Sequence, residues 1–163
     1  MKILVLIIGV LFGTASFSQT EKIAALLNKQ FQKEQKMYGE DAVDRPVLLQ
    51  PFQIESDTLS VAFKIITGSE PEEMLYSYRK VSIHDIEAFI KDMNVLFTAI
   101  DNSVQETNII KDKDGTVLDT RNNTSHLFFT ELRKDASDES LQRKMLRAFD
   151  RMGQEITSEY WFN

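Results

Sequence analysis

The sequence predicts an α+β domain: a largely antiparallel sheet of about six to eight strands with an N-terminal helix, a short central helix and a C-terminal helix. Three observations lead there. Apolar residues recur at helical spacing near both ends of the chain. Segments of alternating apolar and polar residues fill much of the middle. Short turn signals separate several of these segments, and short connections join antiparallel strands.

Residues 1–18 stand apart from the rest. Met1-Lys2 is basic, Ile3 to Phe12 is an unbroken apolar run, and Ala15, Ser16 and Ser18 form a small-residue exit. This is the pattern of a secretory signal peptide. The run is about ten residues, against the roughly 20 that a membrane-spanning helix needs. No polar residue divides it into faces, which argues against a buried core helix. Cleavage is expected before Gln19, with cleavage after Ala15 as the second option. The expected organisation is therefore a signal peptide over 1–18 and one globular domain over 19–163, in a periplasmic or secreted protein.

Gln19 to Tyr38 reads as an amphipathic helix, with Ile23, Leu27, Phe31, Glu34 and Tyr38 along one side and Gly39 as its C-terminal cap. Val47 to Glu55 reads as a strand that Pro51 confines to an edge or a bulge. Leu59, Val61, Phe63 and Ile65 alternate with polar or small residues in a second strand. Gly68 to Pro71 is a turn, and Met74, Tyr76 and Tyr78 mark a third strand. Ser82-Ile83-His84-Asp85 has the form of a capping box, so the central helix is placed here, with Ile83, Ile86, Phe89 and Ile90 on its buried side. That period continues to Ile100, so residues 93–100 fit a helix or a strand. Val95, Phe97 and Thr98 favour the strand.

Val104 to Ile110, Thr116 to Thr120 and Ser125 to Leu132 read as three more strands, joined by hairpin turns at Asp114-Gly115 and Asn122-Asn123. Ser137 or Asp138 caps a last helix carrying Leu141, Met145, Ala148, Phe149 and Met152, and Gly153 stops it. Ile156, Tyr160 and Phe162 suggest a closing strand.

Composition removes several function classes. The formal charge is −6 over 163 residues, and losing Lys2 with the signal peptide makes it −7. Nucleic-acid and anionic-membrane binding need a net basic surface, so neither is expected. Cysteine is absent, which removes disulfides, thiol catalysis, cysteine-ligated zinc and a lipidated N-terminal cysteine. After the signal peptide, glycine occurs only at Gly39, Gly68, Gly115 and Gly153, too far apart for a phosphate-cradling loop. No second apolar run approaches spanning length.

The Ser18-Gln19 junction, the run from Lys91 to Phe97, the segment Ser125 to Phe129 and the tail from Ala148 to Asn163 together resemble small uncharacterised exported proteins of Bacteroidota. That resemblance supports export and carries no activity, cofactor or site residue with it.

Candidate chemistry is sparse. Asp112-Lys113-Asp114-Gly115 resembles part of a calcium-binding loop. Ile110 and Arg121 stand where that loop needs an Asp and a bidentate Glu, so the hairpin turn is the better reading. His84 and His126 lack the companions that a zinc site or a catalytic pair requires. No metal or cofactor is expected. Asp57-Thr58-Leu59 resembles the three-residue site of periplasmic O-glycosylation in Bacteroidota, which makes Thr58 a candidate acceptor. The same residues also suit a hairpin turn.

Two features remain as candidate binding sites. Arg143, Arg147 and Arg151 lie four apart on one side of the last helix, a local reversal of charge that suits an acidic protein surface or an anionic ligand, or else a solvated face with Glu139 pairing to Arg143 and arginines favoured near the helix C-terminus. Tyr76 and Tyr78, with the tail Tyr160-Trp161-Phe162, offer aromatic surface that could stack on sugars or peptides, with core packing as the other use of such residues. The reading is a non-enzymatic exported binding domain. Its alternatives are a small hydrolase or lyase using clustered carboxylates with His126, and a carrier for an apolar ligand between sheet and helices. Mass spectrometry of the protein isolated from its native envelope should find a chain beginning near Gln19 without lipid. An intact Met1 or an anchored form contradicts the export reading.

Overall fold

Alternation of apolar and polar residues makes most of this chain sheet, and two sheets rather than one result. The computed structural model describes residues 20–37, 45–66, 73–133 and 139–159. The signal segment, the Gly39 cap, the Gly68–Pro71 turn, the Ser137 and Asp138 caps, and the tail residues Tyr160, Trp161 and Phe162 lie outside these. Helix α1 covers 20–35. Strands β1 (Pro46–Glu55), β2 (Thr58–Ile66) and β3 (Glu73–Ser82) follow, then β4 (Ile86–Lys91), β5 (Val95–Ala99), β6 (Val104–Asp112), β7 (Val117–Ser125), β8 (Leu127–Leu132) and helix α2 (Glu139–Asp150).

The larger sheet has the order β1-β2-β3-β6-β7 and the smaller β4-β5-β8, with every strand pair antiparallel. The chain leaves the first sheet after β3, builds β4 and β5, returns for β6 and β7, and crosses again into β8. No closing strand is formed among the described residues; there is an isolated parallel bridge beside β4, where the Thr157 carbonyl accepts from the Phe89 N–H and the Thr157 N–H donates to Glu87 O.

The central helix is not formed. Ser82 is extended and caps nothing with its side chain, and only one 3-10 turn, Ile83–Asp85, precedes β4. The apolar spacing that reads as a helical face instead serves a strand with most of its residues buried, Ile86, Ala88, Phe89 and Lys91 among them. A short apolar run is ambiguous between the two periods, and pairing with Val95–Ala99 decides it. The strand reading of 95–100 holds.

The Asn122-Asn123 turn is also absent. Both residues sit mid-strand in β7, opposite Thr107 and Glu106. The direction changes instead at His126, between β7 and β8. The Asp114-Gly115 turn does form: Gly115 takes φ +86 and Asp112 Oδ1 accepts from the N–H groups of Asp114 and Thr116.

One continuous core joins both sheets and both helices. Phe89, Phe97 and Phe128 form a row across the smaller sheet, and Phe149 of α2 seats on it with its ring centroid 5.9 Å from that of Phe97. On the larger sheet Phe31 of α1 and Phe52 of β1 meet Phe63. Helix α2 ends in a Schellman motif: Gly153 takes φ +77 and donates to Asp150 O, and Gln154 donates to Phe149 O.

Strand β1 is an edge strand with two register shifts near Pro51. Helix α1 covers part of that edge with amide side chains. Asn28 both donates to Phe52 O at 2.8 Å and accepts from Phe52 N at 2.9 Å, as a neighbouring strand would. Gln35 donates to Pro46 O. An occupied edge resists pairing with foreign strands. Replacing Asn28 with Ala leaves both backbone groups of the buried Phe52 unmatched, so urea unfolding should show a loss of about 1–3 kcal/mol. No change in the midpoint would show that the edge is held without this amide.

Candidate functional site

Four described charged residues are buried: Arg79 and Glu131 in one network, Glu34 on α1 and Lys91 on β4. Arg79 of β3 is buried at the seam between the sheets. Its Nε reaches Glu106 Oε1 of β6 at 2.6 Å, and its Nη1 reaches Glu131 Oε1 of β8 at 2.7 Å and Phe129 O at 2.8 Å. The rings of Phe63 and Phe129 flank the guanidinium. Arg133 meets the other oxygen of Glu131 at 3.5 Å, so four charges alternate in sign. Burial works to raise the Glu106 carboxyl, but the Arg79 charge and hydrogen bonds from Arg79, Ser77 and Asn108 outweigh it and hold the group below the ordinary carboxylate range. This network is structural: it is internally neutralised.

The residues singled out for catalysis do not converge. His126 is exposed at the bend before β8, and only its carbonyl is engaged, by the Ala99 N–H. No carboxylate lies within ion-pair distance of it among the described residues. His84 lies 3.6 Å from Asp57, both well exposed. Among the described residues no three His, Asp or Glu side chains group as metal ligands would. An apolar ligand between sheets and helices would compete with Phe63, Phe89, Phe97, Phe128 and Phe149, all fully buried there.

Thr58 opens β2 beside Glu55 and Ser82 and is half-buried. The hairpin turn lies one residue earlier than the Asp57-Thr58 turn expected: Ser56 and Asp57 take φ 47 and 61, and Thr58 is already in the strand.

The arginine stripe lies where the helical spacing puts it. Arg143, Arg147 and Arg151 are exposed, while Leu141, Met145 and Phe149 are buried. Arg147 borders a small hollow with Asp150 and Glu155. Neither Arg147 nor Arg151 forms an ion pair among the described residues.

A second basic surface lies between the two helices. A groove of about 630 Å³ separates α1 from α2, with Leu26 and Leu141 in its lining. Its cations are Lys29 and Lys33 of α1, Lys36 in the turn that follows it and Lys144 of α2, and no described carboxylate lines it. Spacing could have located half of it: Leu26, Lys29, Lys33 and Lys36 fall on one stripe of a helix. That α2 lies opposite is a tertiary fact.

Comparison with known proteins finds no family model that matches the chain, and no similar curated protein or solved structure. No helix among the described residues is long and apolar enough to cross a membrane.

A depressed folded-state pKa means that Glu106 stabilises the fold above its unfolded value, about 4.3, and that this contribution is lost as pH falls through the folded value. Replacing Glu106 with Gln should therefore lower the melting temperature at neutral pH and flatten its decline on the acid side below about pH 4. Parallel curves for both proteins would remove Glu106 from the acid transition.

Proposed function

We propose that this protein is an exported, non-enzymatic interaction domain that captures an acidic protein surface in the groove between α1 and α2. The observation that carries the reading is the lysine-lined groove itself, in a chain of net charge −6. Clustering cations against the overall sign of the chain costs repulsion, and an acidic partner offsets that cost. The exposed arginines of α2 add further positive charge on that helix, and guanidinium forks suit carboxylates. Leu26 and Leu141 add apolar area within the groove, where contact would exclude water. Export rests on the signal-peptide pattern of residues 1–18.

A catalytic reading has less support. General acid–base work needs a donor and an acceptor within hydrogen-bond reach of one substrate, and His126 stands exposed with no carboxylate in ion-pair distance among the described residues. Thr58 remains a proposed O-glycosylation acceptor, since it follows an exposed turn.

Labelled poly-glutamate serves as a probe of the groove. Changing Lys29 and Lys144 together to Glu should weaken its binding about tenfold at low salt and flatten the salt dependence. Both residues are exposed, so the melting temperature should barely move. Unchanged binding with an unchanged melting temperature overturns the groove as the docking surface.

A further inference from the structure

The larger sheet has a second face, opposite the one that α1 covers. Phe63 meets Phe31 of α1 on the inner side, so residues of the other parity point outward. Pairing sets Tyr78 beside Ala62 and Thr107, and Tyr76 beside Lys64 and Ile109. Lys80 pairs with Ser60 and Gln105, and Met74 with Ile66 and Lys111. Residues paired across a ladder share a face. Two tyrosines and three lysines therefore occupy one surface. The flanking strands continue these four rows with Val47, Gln50 and Gln53 on one side and Val117, Thr120, Asn122 and Thr124 on the other. No Asp or Glu stands in any of the four, although the chain has 25 acidic residues.

The two tyrosines differ in what they offer. Tyr78 is 43% exposed. It borders a hollow of about 300 Å³ together with Gln50, Ser60, Lys80, Gln105 and Thr107. Tyr76 is a seat for cations: Lys111 Nζ stands 4.7 Å from its ring centroid and Lys64 Nζ 6.0 Å. No ion pair engages Lys64, Lys80 or Lys111 among the described residues. The π face spreads two ammonium groups on the surface and leaves their charge available.

An open aromatic ring amid amides and hydroxyls matches the chemistry of a sugar. The apolar face of a pyranose lies on the ring while its hydroxyls exchange hydrogen bonds with the amides. Lysines on both sides, without carboxylates, call for a ligand with repeated negative charge. The surface runs about 20 Å along β3 from Met74 to Lys80, at roughly 3.3 Å per residue, long enough for several sugar units.

We propose that the open face of the five-stranded sheet binds an acidic polysaccharide, a chain of carboxylate-bearing sugars with one ring stacked on Tyr78 and its carboxylates met by Lys80, Lys64 and Lys111. This site is separate from the groove between the helices, and neither depends on the other.

Affinity electrophoresis with two polyuronates, polygalacturonate and alginate, tests it. The protein used carries Lys29→Glu and Lys144→Glu, so that binding in the groove is weakened and the sheet face is read against a reduced background. At least one polyuronate should retard it, and methyl esterification of polygalacturonate should abolish retardation by that polymer. Changing Tyr78 to Ala should weaken binding about tenfold, the order expected when a stacking ring is lost. Changing Gln105 to Glu sets a carboxylate beside Lys80 and should weaken binding while leaving the melting temperature unchanged, which separates lost recognition from lost folding. Retardation by neither polyuronate overturns the proposal. So does poly-glutamate binding as tightly as the polyuronate, or a well-folded Tyr78→Ala protein that binds as before, since either reduces the surface to charge alone.

Discussion

A guanidinium buried where two sheets meet has to be neutralised, and Arg79 imposes that requirement on three strands at once. Its partners come from β6 and β8, so β3 cannot pair with β6 in another register without separating Arg79 from Glu106. Glu131 adopts φ 57, a conformation that side chains rarely take, while its carboxylate meets Arg79. Losing one member of such a set leaves a buried charge unmatched, which costs far more than losing an exposed pair. The chain has no cysteine. Packing and this network therefore hold the fold without a disulfide.

From that seam the ties extend to both ends of the domain. Glu131 also meets Arg133, whose backbone N–H is held by the buried Glu34 of α1. Helix α1 is thus fixed to the end of β8 by one acidic residue and to the edge of β1 by Asn28 and Gln35. This anchoring positions Lys29, Lys33 and Lys36 opposite Lys144. A helix buried on one side presents its other side as a fixed array, and a fixed array of like charges is a better recognition surface than the same charges on mobile loops.

Much of the architecture was legible in the residues. The period of α1, the alternation in β2 and β3, the proline that marks β1 as an irregular edge, the Asp-Gly turn and the glycine that ends α2 are local signals, and the structure follows them. The misreadings fall where local signals are degenerate. Ile83 to Ile90 has apolar spacing that fits a helix face and equally a strand buried on both sides, and only the neighbouring Val95–Ala99 separates the two. Asn122-Asn123 has turn chemistry, yet nine residues of β7 run straight through it because β6 offers a continuous ladder.

The charge pattern shows the same division. By itself the sequence determined the periodicity of each outer helix, the alternation of most strands, the exposure of the arginine stripe and the overall acidity, because each depends on neighbours a few positions away. Tertiary structure alone decided that the strands divide into two sheets, that Arg79 is shared by β3, β6 and β8, that lysines of two distant helices face one groove, and that Lys64, Lys80 and Lys111 meet around two tyrosines. Those arrangements join residues far apart in the chain, and nothing in the local spacing of either partner encodes the pairing.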